Sequence, residues 1–238
     1  MSASHPTPGL IILKAEPEPL QIDLTRMAVV VIDMQNAFVS KGGMFDLSGE
    51  DITRGQRIIE PIKRIIRAAR ARGVRVIYVV HHYSPDLREA GGPDSGYWYG
   101  PNLRKYREDP EWKDKFIIRD TWGAEIVKEL EPREDKLVVV KPRYSAFFGT
   151  NLDAILKSFN IKYLAFVGVA TNICVEAAIR DACYLDYFPI LILDATASAG
   201  PEFTQEATIF NVKLCFGWVT TSQNIIKAIE PGKKNPHV

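Results

Sequence analysis

Cysteine is scarce in this chain, three in 238 residues, and no two are spaced as a CxxC pair or set beside a histidine in a metal-binding pattern. That excludes a disulfide framework and argues against a zinc module. It fits a reducing compartment, and the cytoplasm is the expected location. Net charge is nearly absent too: 30 Lys and Arg face 29 Asp and Glu, a formal charge of +1. No footprint for nucleic acid or an anionic membrane results, so a small-molecule partner is expected. Long apolar runs are also missing. The N-terminal stretch holds only a short apolar patch at 9–13 with no basic segment before it, so neither a signal peptide nor a membrane span is expected.

The remaining composition, 46% hydrophobic and 25% charged, is that of an ordinary globular protein. A chain of this length buries roughly 70% of its unfolded surface and needs no covalent staple. Pro6, Pro8, Pro17 and Pro19 make residues 1–22 an extended arm, lying on the domain or on a partner subunit. Residues 23–230 then form a single domain, with 231–238 as a tail.

Short β-branched runs recur at 28–32, 74–80, 137–140, 163–167, 190–193 and 215–219. Most are continuous rather than alternating, as in strands buried on both faces of a parallel sheet. Helical patterns lie between them. In 56–72 an apolar stripe of Ile58, Ile59, Ile62, Ile65, Ile66 and Ala69 stops at Gly73. The opposite face, with Arg57, Lys63, Arg64, Arg67 and Arg70, is read as solvated because Glu60 can pair with Arg64. Further helices are expected at 151–159, 172–186, 201–210 and 221–229, and a shorter one near 124–130. The fold expected is α/β: a doubly wound, mostly parallel six-stranded sheet with helices on both faces. One segment, 81–120, has no clear period and carries Gly91, Gly92, Pro93 and the cluster Tyr97, Trp98, Tyr99. It is far longer than an ordinary connection and is read as an active-site cover or an inter-subunit arm.

In such a sheet ligands bind beyond the carboxyl ends of the strands. Asp33 follows the first run, as a general base or as the cap of the next turn. Lys141 follows the third, as a cation inside the site or a side chain reaching the rim. The fourth run leads through Gly168 into a helix with Cys174 in its first turn, where backbone N–H groups would lower a thiol pKa and hold an oxyanion. Cys183 lies nine residues on and, at 100° per residue, points away; Cys183 and Cys215 are read as core. His5 and His237 lie in the tails, and His81 and His82 are read either as ligands or as a hydrogen-bonded loop pair. Asp33 is thus the better partner for Cys174.

The segments VVVIDMQNAF, VVVKPRYSAFF and GVATNICVEAAIRDA, in that order, resemble the signature segments of the isochorismatase-like cysteine hydrolases over nearly the whole chain. Within that family, EAGGP and DATASAGPEF are most similar to the ureidoacrylate amidohydrolases of pyrimidine degradation. The resemblance implies a Cys174, Asp33 and Lys141 triad and a cis peptide at Val169–Ala170. It also implies an oxyanion hole from the N–H groups of Ala170 and Cys174. It implies hydrolysis of a C–N bond in a small ureido or carbamoyl acid through a covalent cysteine intermediate, without cofactor. Such a reaction on ureidoacrylate releases ammonia, CO2 and aminoacrylate. A homo-oligomer, dimer or tetramer, is also implied.

Asn36, Glu89, Arg143 and Tyr144 stand beside these segments and are candidate substrate contacts; for Arg143 a rim ion pair competes with a carboxylate-binding role. Four positions depart from the ureidoacrylate pattern. Phe38 and Met44 stand where that pattern has Tyr, and His81 and Tyr83 stand where it has Asn and Trp, so Phe38, His81 and Tyr83 are expected in the pocket wall. Metal-dependent relatives of this fold are similar to one another in an Asp-x-His set after the second strand. Here that place reads VVHHYSPD, so no metal is expected. Biuret, N-carbamoylsarcosine or another amide are alternative substrates for the same triad, and a non-catalytic interaction protein is the contrasting class.

Overall fold

In a computed structural model that describes residues 10–133 and 137–230, the first regular element is an antiparallel hairpin of β1 (Leu10–Leu13) and β2 (Leu20–Asp23). The part of the N-terminal arm described is therefore paired with itself. It packs on the body of the protein: Leu13 and Ile22 are fully buried, and Glu16 exchanges two 2.9 Å main-chain hydrogen bonds with Val219. His5, His237 and the expected tail lie outside the described residues.

The six apolar runs become β3 (Met27–Ile32), β4 (Arg75–His81), β5 (Val138–Lys141), β6 (Tyr163–Val169), β7 (Phe188–Ala197) and β8 (Trp218–Thr220). They form one parallel sheet in the order β5-β4-β3-β6-β7-β8. In central β3 every residue is buried: Val29 and Val31 face one core, and Ala28, Val30 and Ile32 the other. An unbroken apolar run is what two covered faces require. Edge strand β5 alternates instead, with Val138 and Val140 exposed and Val139 and Lys141 buried.

Helices close both faces. In chain order they are α1 (Asn36–Val39), α2 (Met44–Leu47), α3 (Ile52–Arg57), α4 (Ile59–Ala71), α5 (Pro101–Glu108), α6 (Leu152–Ser158), α7 (Glu176–Tyr184), α8 (Phe203–Asn211) and α9 (Ser222–Ile229). The stripe read from the sequence puts Ile62, Ile65 and Ala69 of α4 against one face, beside Ile225 and Ile229 of α9. Leu152 and Leu156 of α6, with Ala178, Ile179 and Ala182 of α7, fill the other. Each fully buried Ile or Leu contributes about 1.5–3 kcal/mol.

Three local expectations fail. Cys215 does not open a strand: it sits exposed in a wide turn at Val212–Phe216, and the strand begins only at Trp218. The helix expected near 124–130 is two short 3-10 turns, Trp122–Ala124 and Lys128–Leu130. The excursion 81–120 contains α5, whose sequence PNLRKYRE buries only Leu103 and so shows no apolar stripe. Tyr83 N–H donates to Ile117 O and Arg119 N–H to Tyr83 O, both at 2.9 Å, which brings the end of the excursion back to its start.

Candidate active site

Three strand ends converge as the sequence suggested. Asp33 follows β3 in a left-handed conformation, φ 51°, its N–H bonded to Val79 O at 2.9 Å, so the chain turns sharply as it leaves the sheet. Lys141 is the last residue of β5, in register with His81 of β4. Cys174 lies in a single π-turn, Thr171–Val175, between β6 and α7; Ile173 N–H and Val175 N–H both donate to Ala170 O. The Val169–Ala170 peptide is cis. Gly168 allows this approach: it has φ 114°, and a Cβ there would lie 2.0 Å from Ile32 O on the neighbouring strand.

The Lys141 ammonium has three partners within reach. It lies 2.9 Å from Asp33 Oδ2, 3.4 Å from Cys174 Sγ and 3.0 Å from Arg143 O. All three side chains of the set are buried. Neither Asp33 oxygen has a well-aligned hydrogen bond, so the contact with Lys141 is an ion pair and leaves the carboxylate capacity to accept a proton. Burial pushes the Asp33 carboxyl up, against the pull of Lys141. Burial would lower the Lys141 ammonium, but its interactions with Asp33 first and then Cys174 together outweigh it and hold the group up.

The Cys174 thiol is pushed up as well, by burial first and then by the Asp33 charge, with Lys141 opposing. This corrects the expectation of a thiol acidified by a helix N-terminus. The cysteine precedes α7 in a turn of wider pitch rather than standing in its first turn, and burial is the largest cause of its shift. The shifts all run upward, the direction that keeps the proton on the thiol beside the Asp33 and Lys141 pair. The π-turn also invalidates a 100° count from Cys174 to Cys183. Cys183 is half-buried with its sulfur 4.0 Å from Cys215 O, and Cys215 is exposed, so neither is a core residue.

A cavity of about 90 Å³ opens on Cys174. Phe38, His81, Tyr83 and Tyr144 line it, as does Ala170. Asn36, Glu89 and Arg143 do not. Asn36 donates to Trp122 O at 3.0 Å and accepts from Ser40 Oγ at 2.8 Å. The Glu89 carboxylate accepts from the N–H and hydroxyl of Ser84 at 2.9 and 2.5 Å. The Arg143 guanidinium donates to the carbonyls of Glu89 and Pro142 and lies 4.5 Å from the Tyr97 ring centroid. Lying next to a signature segment does not aim a side chain inward.

The sequence reading did not single out Phe45, Tyr97, Asn102 or Phe116 as cavity walls. Most belong to the excursion, where only the aromatic cluster at 97–99 gave a signal. Gln35 was also missed. Its amide donates to His81 O at 3.1 Å and Ala124 O at 2.8 Å and accepts from His81 N–H at 2.8 Å, locking the end of β4 beside β3. Its place two residues after Asp33, just beyond the apolar run, was the available clue.

A parallel sheet of this order, with a cysteine, an aspartate and a lysine meeting at its carboxyl edge, defines a class. The chain belongs to the isochorismatase family, whose domain it matches over residues 27–224. Its curated relatives include ureidoacrylate amidohydrolase RutB of Caulobacter segnis, 44% identical over 217 residues that cover 91% of each chain. Among solved structures, a cysteine hydrolase from Pseudomonas syringae pv. phaseolicola superposes with a TM-score of 0.72 at 29% identity, over 87% of this chain and 94% of that one. N-carbamoylsarcosine amidase from Thermoplasma acidophilum superposes with a TM-score of 0.63 at 25% identity, over 83% and 96%. Among the described residues no helix is long and apolar enough to cross a membrane, and no cluster of His, Cys, Asp or Glu could hold a metal ion.

Proposed function

We propose that this protein is an amidohydrolase that cleaves the ureido group of ureidoacrylate, with Cys174 as nucleophile, Asp33 as base and Lys141 as charge holder. The contact of Lys141 with both Asp33 and Cys174 carries the reading. The relatives named for that substrate match this chain over nine-tenths of its length, which supports the choice.

Asp33 takes the thiol proton as sulfur bonds to the ureido carbonyl carbon. Lys141, 3.4 Å from the sulfur, offsets the thiolate charge at that moment. The N–H groups of Ala170 and Cys174 hold the oxyanion. Collapse breaks the C–N bond, and the departing amine takes the proton from Asp33. Water, deprotonated by the same carboxylate, cleaves the carbamoyl thioester; carbamic acid then gives ammonia and CO2, leaving aminoacrylate. Phe38, His81, Tyr83 and Tyr144 form the substrate contacts, and a 90 Å³ cavity suits an acid of few heavy atoms.

This reading carries with it a single catalytic domain over 23–230, a cytoplasmic location and a homo-oligomer. Free cysteines support the second, and the exposed Tyr184, Phe203, Phe210 and Leu214 support the third. Ammonia release from ureidoacrylate, measured beside biuret and N-carbamoylsarcosine, tests the substrate. Release that survives Cys174→Ala would remove the nucleophile assignment.

A further inference from the structure

Strand β6 and its neighbour β7 run in register to their last pair, Val169 and Ala197, and there the ladder ends. Beyond it the chain of β6 enters the π-turn that carries Cys174, where the N–H groups of Ile173 and Val175 fold back on Ala170 O. Among the described residues no further main-chain hydrogen bond joins this turn to the chain that follows β7. A side chain takes over. Asn172 Nδ2 donates to Ala199 O at 3.0 Å, and its Oδ1 accepts from Ala199 N–H at 3.1 Å.

A primary amide offers a donor end and an acceptor end, as a peptide group does, so Asn172 extends the ladder past its last main-chain pair. The partners fix which end is which, since a main-chain N–H only donates and a carbonyl only accepts. The Thr204 hydroxyl also lies 3.2 Å from Ala199 O, but it is nearer Pro201 O at 2.7 Å and has one hydrogen to give. The far side of the clasp is anchored in turn. Gly200 N–H donates to Glu50 Oε2 at 2.8 Å, and Gly200 O accepts from Arg54 Nη1 of α3 at 3.0 Å. Asn172 itself does not line the cavity on Cys174.

Building on the proposed amidohydrolase activity, we propose that Asn172 is a positioning residue of the turn that carries the nucleophile. Acting through Ala199, it sets where the Cys174 sulfur and the N–H groups of Ala170 and Cys174 stand relative to Lys141 and Asp33. The cavity walls Phe38, His81, Tyr83 and Tyr144 come from other parts of the chain. Loss of the clasp therefore disturbs the reacting atoms more than the seat of the substrate. A misplacement of about 1 Å at a reacting centre costs about 10²-fold in rate.

The test measures kcat and KM for ureidoacrylate in the wild type, Asn172→Ala and Asn172→Asp, with folding followed by circular dichroism. Asn172→Ala should lower kcat by about 10- to 100-fold and leave KM within about threefold of wild type. The ionised carboxylate of Asn172→Asp still accepts from Ala199 N–H but sets an oxygen against Ala199 O; once protonated, it can donate there as the amide does. Its kcat relative to wild type should therefore be low at about pH 8 and rise about threefold or more by about pH 5. Titration of the triad is common to both proteins and cancels in that ratio, and a residue needed only for stability would not give the recovery. A kcat within about threefold of wild type in folded Asn172→Ala overturns the proposal, as does a loss carried by KM alone. If Asn172→Ala does not fold, Asn172→Asp decides: a ratio that stays flat with pH overturns it. Wild type that releases no ammonia from ureidoacrylate, biuret or N-carbamoylsarcosine sinks the amidohydrolase reading and this proposal with it, whereas turnover indifferent to Asn172 sinks the proposal alone.

Discussion

Lys141 and Asp33 face each other at 2.9 Å with both side chains out of water. A buried pair of this kind adds little over apolar packing, but removing one member leaves the other charged and alone, at a cost of about 3–5 kcal/mol. Lys141→Met should lower stability by that amount in a denaturant titration. It should also cut kcat by about 10³-fold or more, because both the base and the incipient thiolate lose their cation. Stability and turnover close to wild type would show that the pair has no part in either.

Thiol reactivity separates the three cysteines. Cys215 is exposed, Cys183 half-buried, and Cys174 buried with its thiol held up by desolvation and by Asp33. Alkylation follows the thiolate fraction and access. In the folded protein at neutral pH, iodoacetamide should therefore label Cys215 first and Cys174 last, read by peptide mass spectrometry. Rapid labelling of Cys174 would mean that the resting thiol is already ionised and that Asp33 is not needed as its base.

His81 gives a stability signature with a definite sign. Burial, and then the Lys141 charge, hold its imidazole well below the ordinary value of 6.5, and burial lowers His82 too. The unfolded chain therefore binds protons near pH 6.5 that the folded chain refuses. Stability is full above that pH and falls as the medium is acidified below it, by about 1.4 kcal/mol per pH unit for a fully excluded proton. The Asp33 carboxyl, held up by burial, has the opposite sign, but it acts nearer the carboxylate range. Unfolding free energies between pH 7 and 5 should accordingly decline less steeply in His81→Phe than in wild type; equal slopes would place a proton on His81 in the folded state.

Arg143 spans the cover and the site. Its side chain grips Glu89 O and the Tyr97 ring, while its own carbonyl receives the Lys141 ammonium. Replacing the side chain leaves that carbonyl in place. Arg143→Met should raise KM by about 10-fold through a looser cover and leave kcat within about threefold, for acidic and uncharged ureides alike. A loss confined to acidic substrates would return Arg143 to the carboxylate-binding role.

What could be read in the sequence were features whose cause is local. The run Met27–Ile32 is apolar at every position because both its faces are covered, and Asp33, Lys141 and Cys174 stood out as candidates at or just beyond strand ends, with the family resemblance implying them as a set. What depended on distant chain was not legible. Strand β5 alternates because it lies at the sheet edge, α5 is nearly all polar because only Leu103 and the Tyr106 ring hold it down, and Cys215 looked like a strand residue because its neighbours are apolar. Tyr97 and Phe116 meet Cys174 only after the excursion folds back through Tyr83, and no local pattern encodes that closure.

Gln35 offers the sharpest test of how the strand ends are held. Its three hydrogen bonds to His81 N–H, His81 O and Ala124 O are all buried. Leucine has nearly the same volume, so Gln35→Leu creates little cavity but strands the His81 N–H and the His81 carbonyl, while Ala124 O keeps its contact with the His82 ring. At about 1–3 kcal/mol for each group left unsatisfied, a loss of about 2 kcal/mol or more is expected on denaturation. Because the same bonds set the position of His81 in the cavity wall, kcat/KM for ureidoacrylate should fall as well. An unchanged kcat/KM in the folded variant would confine Gln35 to stability and detach it from the cavity wall.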